Sequence, residues 1–527
     1  MAGLTAAAYL ARAGHQVVLC EKEGQTGGLV RSFQRDGFVF DAGIRAIENS
    51  GVVLPMLRQL GVNVEFLPST VTIGIGQDQV QVSSIADLPA YQQMLAHQFP
   101  QNRDDIAAIV GQIRRVMGYM DVLYGIDNPL FLDLNKDPQY VFRTILPWLV
   151  KYILTMPKIE RLRVPVDEYL ARFTTNEALI DLIAQHFFRK TPSFFALGYF
   201  SLYLDYKYPR GGTGALSQAM DQYLRDTGGA IRTHTYIAEV DVGNREARDS
   251  EGNVYGYRKL IWAADAKALY QAVHTRSVPD PAVVKAIEAK RDLLKGKVGS
   301  DSVFSLYLSA DLDPEYFHRA GSAHVFYTPS AEGLSQASLE KLGPDDGPPE
   351  AVFTADRNRL MAWTDKHLAL TTYEISIPAL RDPSLAPPGK TGVIVSLLFD
   401  YALTRHMQAI GWYEEFRQHM AQRIVEVLDG SLYPGLRAAV TDRFTSTPLT
   451  LEAVAGNSEG AITGWAFTNQ PFPAVNKLPR VASSVLTPIP DTYQAGMWTF
   501  SPAGLPISIM TGKLAADRVT KELRTAG

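Results

Sequence analysis

The segment AGLTAAAYLARAGHQVVLCEKE at residues 2–23 constrains the fold more than any other. Leu4 to Ala13 reads as a helix of small residues, Gly14 stops it, Val17 to Cys20 is a short apolar strand, and Glu21 closes that strand with an acid. A small-residue helix can lie close against a sheet, and an acid at the end of the following strand completes the back half of a nucleotide-binding βαβ unit. Gly3 stands where the third glycine of G-x-G-x-x-G falls. Glu21 follows it by 18 residues, near the ~20-residue offset of an acid that accepts hydrogen bonds from an adenosine ribose. The first strand and the first two glycines would then lie upstream of Met1. The expectation is that Met1 is not the natural start and that an apolar strand ending in Gly-x-Gly precedes it. The plainer alternative is an ordinary strand ending in a solvated glutamate.

Beyond this unit the chain alternates between two kinds of pattern. In GQTGGLVRSFQRDGFVFDAG, the paired Gly27 and Gly28 suit close approach of backbone to a ligand, and a strand follows from Phe38 to Phe40. From about Ala90 the pattern turns helical, with Ile106, Ile109, Val110, Ile113, Val116, Met117 and Met120 recurring along one face. VFRTILPWLVKYILTM, near 141–156, is a dense apolar helix signal with basic residues at Arg143, Lys151, Lys158, Arg161 and Arg163. The α/β rhythm returns with a helix from about Ala215 to Arg225 and the strand of KLIWAADA. Strands dominate from about Arg291 to Asp400, a helix runs from Trp412 to Leu428, and the tail ends in a glycine turn and a closing helix. At 527 residues the chain exceeds what one core supports, so two interleaved domains are expected.

Charge and motif content narrow the chemistry. Lys and Arg total 51 against 55 Asp and Glu, which gives no support for a nucleic-acid partner held by bulk electrostatics. The lone Cys20 excludes an internal disulfide framework and any CxxC metal site, and makes a reducing, cytoplasmic setting the default. There is no run of about 18 apolar residues, nor the charged lead and cleavage site of a signal peptide. PPGKTG is not a phosphate loop, because Ser384 stands where its first glycine is required. H-E-x-x-H does not occur and no strand-to-helix nucleophile elbow is read, so no metal or nucleophile is expected to carry a reaction.

The combination of AGLTAAAYLARAGHQVVLCEKE, GGLVRSF and FDAG resembles the start of FAD-dependent oxidoreductases of the phytoene desaturase and carotenoid isomerase family, which is related to the flavin amine oxidases. YPRGGTGALSQAMDQYLRDTGGAI, DPSLAPPGKTG, STPLTLEAVAGNSEGAITGWAF and GMWTFSPAGLPISIMTGKLAADRV resemble further landmarks of that family in the expected order. The resemblance implies FAD as cofactor, held by Gly3, Glu21, Gly27, Gly28, Arg31, Ser32 and Gly43 and, from the tail, by Trp498, Gly504, Leu505 and Pro506. Gly504 would permit a tight turn, and Pro506 suits the first turn of a helix whose free N–H groups and positive dipole end face the flavin. Met497 departs from the acid that many relatives carry there. Arg45, just past FDAG, would lie near the flavin and polarise a substrate or stabilise reduced flavin; the alternative is a surface arginine.

The fold implied is α/β, a Rossmann-like FAD-binding domain from residues 1–90, 200–290 and 440–527. It is interleaved with a mixed β-sheet and helical substrate domain from 91–199 and 291–439. The activity implied is desaturation, saturation or isomerisation of a carotenoid or isoprenoid polyene, a hydrophobic small molecule. One alternative is a flavin amine oxidase, with Trp465, Trp498 and Phe500 as candidates for an aromatic cage. The other is a non-catalytic scaffold of the same fold. The base-flanked apolar stretch at 147–156 reads either as core or as a surface helix in the headgroup layer of a membrane, and a membrane-soluble substrate favours the surface. Nothing in the sequence signals an oligomeric state.

Overall fold

The computed structural model describes residues 1–133, 138–344 and 352–525. The elements that shape its large cavity are, in chain order, α1 (Ala2–Arg12), β1 (Val18–Cys20), β2 (Ile47–Glu48), α2 (Arg103–Tyr124), α3 (Leu146–Glu160), α4 (Ser193–Asp205) and β3 (Tyr206–Pro209). There follow β4 (Ala230–Arg232), β5 (Leu260–Trp262), β6 (Ser302–Ala310), β7 (His324–Thr328), β8 (Tyr373–Ser376), β9 (Thr391–Phe399), β10 (Thr492–Gln494) and α5 (Leu505–Thr525).

The alanines of α1 do what their size allows. Ala6, Ala7, Ala8 and Ala11 are buried, and α1 packs along α5. A Cβ on Gly512 would stand 2.5 Å from the carbonyl oxygen of Ala2, so the two helices meet at backbone distance. The nucleotide-side sheet consists of two parallel pairs, β1 with β4 and β5 with β10. α1 packs on both β1 and β5, and the other edge of each of these strands has no strand partner among the described residues.

The second layer is a seven-stranded sheet in the order Val440–Ser446, β6, β9, β8, β7, Val71–Ile75, Asp78–Val82. Strand alternation divides its faces. Phe304, Leu306 and Leu308 of β6, with Val325 and Tyr327 of β7, enter an apolar core under the helices Arg357–Leu370 and Tyr413–Asp429; each such side chain contributes about 1.5–3 kcal/mol on burial. The opposite face looks back toward the nucleotide side. The hairpin of 71–82 joins this sheet by pairing in parallel with β7, and Val440–Ser446 joins it by pairing with β6. The expected boundaries at 90 and 440 therefore cut through a hydrogen-bonded sheet, because main-chain pairing, not sequence proximity, decides membership.

The helical insert forms the third part. In α2 the buried residues are the seven of the sequence stripe, Ile106 through Met120. α3 packs on α2 and is the segment with two readings. It is a surface helix: Leu146, Leu149, Val150, Ile153 and Leu154 are exposed, as is Phe142 just before it, while Thr155, Met156 and Ile159 face inward. Trp148 is tied down, its indole N–H donating to the Val122 carbonyl at 2.6 Å. No described helix is long and apolar enough to cross a membrane.

Candidate active site

Between the layers lies a cavity of about 1620 Å³, beyond the roughly 300–1,000 Å³ of a usual single-ligand site. Gly3, Glu21, Gly27, Gly28, Arg31 and Gly43 line it, and so do Arg45, Trp498, Gly504, Leu505 and Pro506. The first wall is thus built from α1, the end of β1 and the loop after it, and the second from the start of α5.

The local chemistry suits a dinucleotide. Glu21 takes one backbone N–H, from Glu23 at 3.0 Å, on a single carboxylate oxygen, and the other oxygen is left for a ligand. The Arg31 guanidinium has no hydrogen-bond or ion-pair partner among the described residues, so its donors are available to an anionic group. Gly28 has φ of +62° and nothing within 4 Å of the place a Cβ would take, whereas a Cβ on Gly43 would stand 2.2 Å from the Leu29 carbonyl oxygen. The first glycine leaves open space for a ligand and the second allows the loop to fold on itself. The N-terminus of α5 brings its unsatisfied N–H groups to the cavity wall.

Three expectations change. Ser32 does not line the cavity: its hydroxyl donates to Asp41 Oδ1 at 2.9 Å and accepts from the Gly214 N–H at 2.9 Å, so it fastens a loop. Gly504 does not have positive φ. Its Cβ would meet only Pro506 Cδ at 3.8 Å, so no turn requires glycine there. The proposed aromatic cage does not form. Trp465 and Phe500 are buried away from the cavity, Trp465 packs edge-on against Trp498 at 4.8 Å, and only Trp498 reaches the wall.

Arg45 is a buried residue and not a surface one. It donates to the Asp41 carbonyl, to Ser396 Oγ at 2.8 Å and to Ser305 Oγ at 3.3 Å. Ser305 and Ser396 are cross-strand partners, and Ser396 is in turn opposite Glu374. The seven-stranded sheet therefore presents a polar row to the cavity. His324 of β7 lies on the same face and holds Glu374 Oε1 at 2.9 Å through Nε2. Burial pushes His324 below its usual range. Burial alone would raise Glu374, but the bond to His324 and the charges of Arg45 and Arg381 bring it below the usual carboxylate range. The pair is a neutral imidazole donating to a carboxylate. This row went unread in the sequence, although single polar residues alternating with apolar ones in DSVFSLYLSA and GVIVSLLFD carried the signal.

Fold and cavity together define a nucleotide-binding α/β protein whose cavity has room for a second ligand. The chain belongs to the family described as flavin containing amine oxidoreductase, which it matches over residues 1–520. It is an FAD-dependent oxidoreductase, and the scaffold alternative falls. Among curated proteins it is 22% identical to a 4,4'-diapophytoene desaturase (4,4'-diaponeurosporene-forming) of Staphylococcus aureus strain COL, over 99% of this chain and 97% of that protein. Among solved structures it resembles putrescine oxidase bound to putrescine, with a TM-score of 0.58, 13% identity, and coverage of 99% and 97% of the two chains. Reduced UDP-galactopyranose mutase is similar as well, at a TM-score of 0.54 and 13% identity, covering 98% of this chain and 93% of that one.

Proposed function

We propose that the protein catalyses flavin-dependent desaturation, saturation or cis-trans isomerisation of a long isoprenoid polyene drawn from a membrane surface. The observation that carries this reading is the union of the large, partly apolar cavity with the exposed apolar face of α3. α3 packs on α2, whose last residue, Tyr124, lines the cavity. The name of the S. aureus relative lends support to the substrate class.

Bound FAD supplies hydride exchange with a carbon held against its ring. The chain's own residues do the rest. Glu21 would hold the ribose, Arg31 would meet the pyrophosphate, and the open face of Gly28 would let the cofactor approach the backbone. The N-terminus of α5 offers a positive dipole end that favours an anionic reduced ring. Arg45, locked by Asp41, Ser305 and Ser396, keeps a fixed cation at the wall, and Phe187, Phe188 and Phe195 exclude water from the chamber. Phe142, Val150, Ile153 and Leu154 enter the headgroup layer, with Arg143, Lys151, Lys158 and Arg161 meeting anionic lipid. The protein is then peripheral to a membrane, on the cytoplasmic side.

The test is anaerobic incubation of oxidised and reduced holoenzyme with a panel of polyenes in liposomes, followed by chromatography. A change in bond number or geometry of a polyene is expected. Reduction of the flavin by amines, with every polyene unchanged, would replace this reading by amine oxidation.

A further inference from the structure

One part of the cavity wall does not suit a hydrocarbon. Glu48 of β2 lies directly opposite Tyr206 of β3 in an antiparallel pair, so the two side chains share a face, and both line the cavity. The Glu48 carboxyl has no hydrogen-bond or ion-pair partner among the described residues. Tyr206 shares one hydrogen bond with Tyr199, the hydroxyl oxygens 3.0 Å apart. Two hydroxyls joined by one bond leave one proton without an acceptor. The Tyr206 ring is stacked on His324, with centroids 5.4 Å apart and planes within 12°, and His324 holds Glu374 on the polar row of the neighbouring sheet. These groups face a cavity that the apolar side chains of Phe187, Phe195, Leu202 and Phe326 line as well, with His186 beside Phe187. Burial, with the nearby Asp205 carboxyl, pushes Glu48 up to about 7, so near neutrality it both donates and accepts.

A pure hydrocarbon drawn into this chamber would seal Glu48 and the spare tyrosine proton from water with nothing to bond, an arrangement that folded proteins avoid. We propose that the substrate is an isoprenoid chain bearing an uncharged oxygen function, a hydroxyl or an aldehyde, and that Glu48 with the Tyr199–Tyr206 pair is the site that reads it. A hydroxyl donates a hydrogen bond to the Glu48 carboxylate and accepts one from the tyrosine pair. An aldehyde oxygen accepts from protonated Glu48 or from a tyrosine. A substrate carboxylate would meet Glu48 and Asp205 as like charges and is disfavoured. This inference rests on the polyene reading and narrows it.

The test is equilibrium binding to the FAD-loaded protein, followed by quenching of tryptophan fluorescence. The probes are an acyclic C30 polyene hydrocarbon and the same chain ending in a primary alcohol or in an aldehyde. The expected result is that one oxygenated probe binds at least fivefold more tightly than the hydrocarbon. Glu48→Met should reduce this advantage below twofold without weakening hydrocarbon binding, and Glu48→Gln, which keeps donor and acceptor, should retain it. Near-ultraviolet circular dichroism checks that both variants stay folded. An advantage below fivefold in the unsubstituted protein overturns the proposal while leaving the polyene reading intact, and so does an advantage of twofold or more that survives in Glu48→Met. Binding of a long-chain primary amine with no polyene bound overturns the polyene reading itself.

Discussion

At the scale of single residues, the site separates groups already engaged from groups left available. Ser32, Asp41 and Arg45 are bonded to protein groups, whereas Glu21, Arg31 and Glu48 each keep capacity for a ligand. Glu21→Ala should weaken FAD binding by about 1.5–3 kcal/mol, the usual range for a hydrogen bond to a charged group, or roughly 10- to 150-fold, with the fold retained. Titration of the FAD-free protein with FAD reads this directly, and an unchanged dissociation constant would place the ribose acid elsewhere. Glu48 gives a pH signature. Its folded value of about 7 lies above its ordinary 4.5, so the folded state holds that proton more tightly than the unfolded chain. The associated stability is present in full below 4.5 and is lost as pH rises toward 7. Glu48→Gln does not titrate, so between pH 5 and pH 8 the stability difference should move in favour of the variant by up to roughly 3 kcal/mol. Urea unfolding at the two pH values measures it, and a gap that stays constant would mean that Glu48 ionises normally.

At the scale of elements, α3 shows how a helix signal can be right in type and silent about orientation. Apolar residues run around much of its circumference, so periodicity alone did not say which of them are covered. The structure turns Met156 and Ile159 inward, fixes Trp148 against α2, and leaves Val150, Ile153 and Leu154 in the open. Replacing Ile153 and Leu154 by Ser should therefore release the protein from anionic liposomes with little loss of stability, because neither side chain belongs to the core. High salt should release the unsubstituted protein only in part, since it screens the basic residues but not apolar insertion. Co-sedimentation gives the answer; equal pelleting of variant and parent would exclude this face as the anchor. Trp148, inside the stretch at 147–156 that was read as core or membrane-facing, does not belong to the exposed face, and its loss would damage the contact between α2 and α3 instead.

At the scale of the whole molecule, local patterns reached as far as local physics does. Helix α1, strand β1 and the acid after it were legible because a small-residue run, a glycine stop and a strand-end acid are set by neighbours within about 20 residues. The stripe of α2 and the closing helix were legible for the same reason. Ser32 was misread because its partners, Asp41 and Gly214, come together only through the packing of distant segments. The 71–82 hairpin was placed on the wrong side because nothing in its own residues names β7 as its partner. The polar row of Ser305, Ser396 and Glu374 exists only through the register of β6, β9 and β8, which aligns single polar residues on three strands distant in sequence onto one face. Sequence alone thus made the nucleotide-binding pattern legible, since it depends on short spacings, and the family resemblance supplied the cofactor. Tertiary structure alone decided what the second chamber presents to a ligand, because strand pairing between distant segments chooses which side chains meet there.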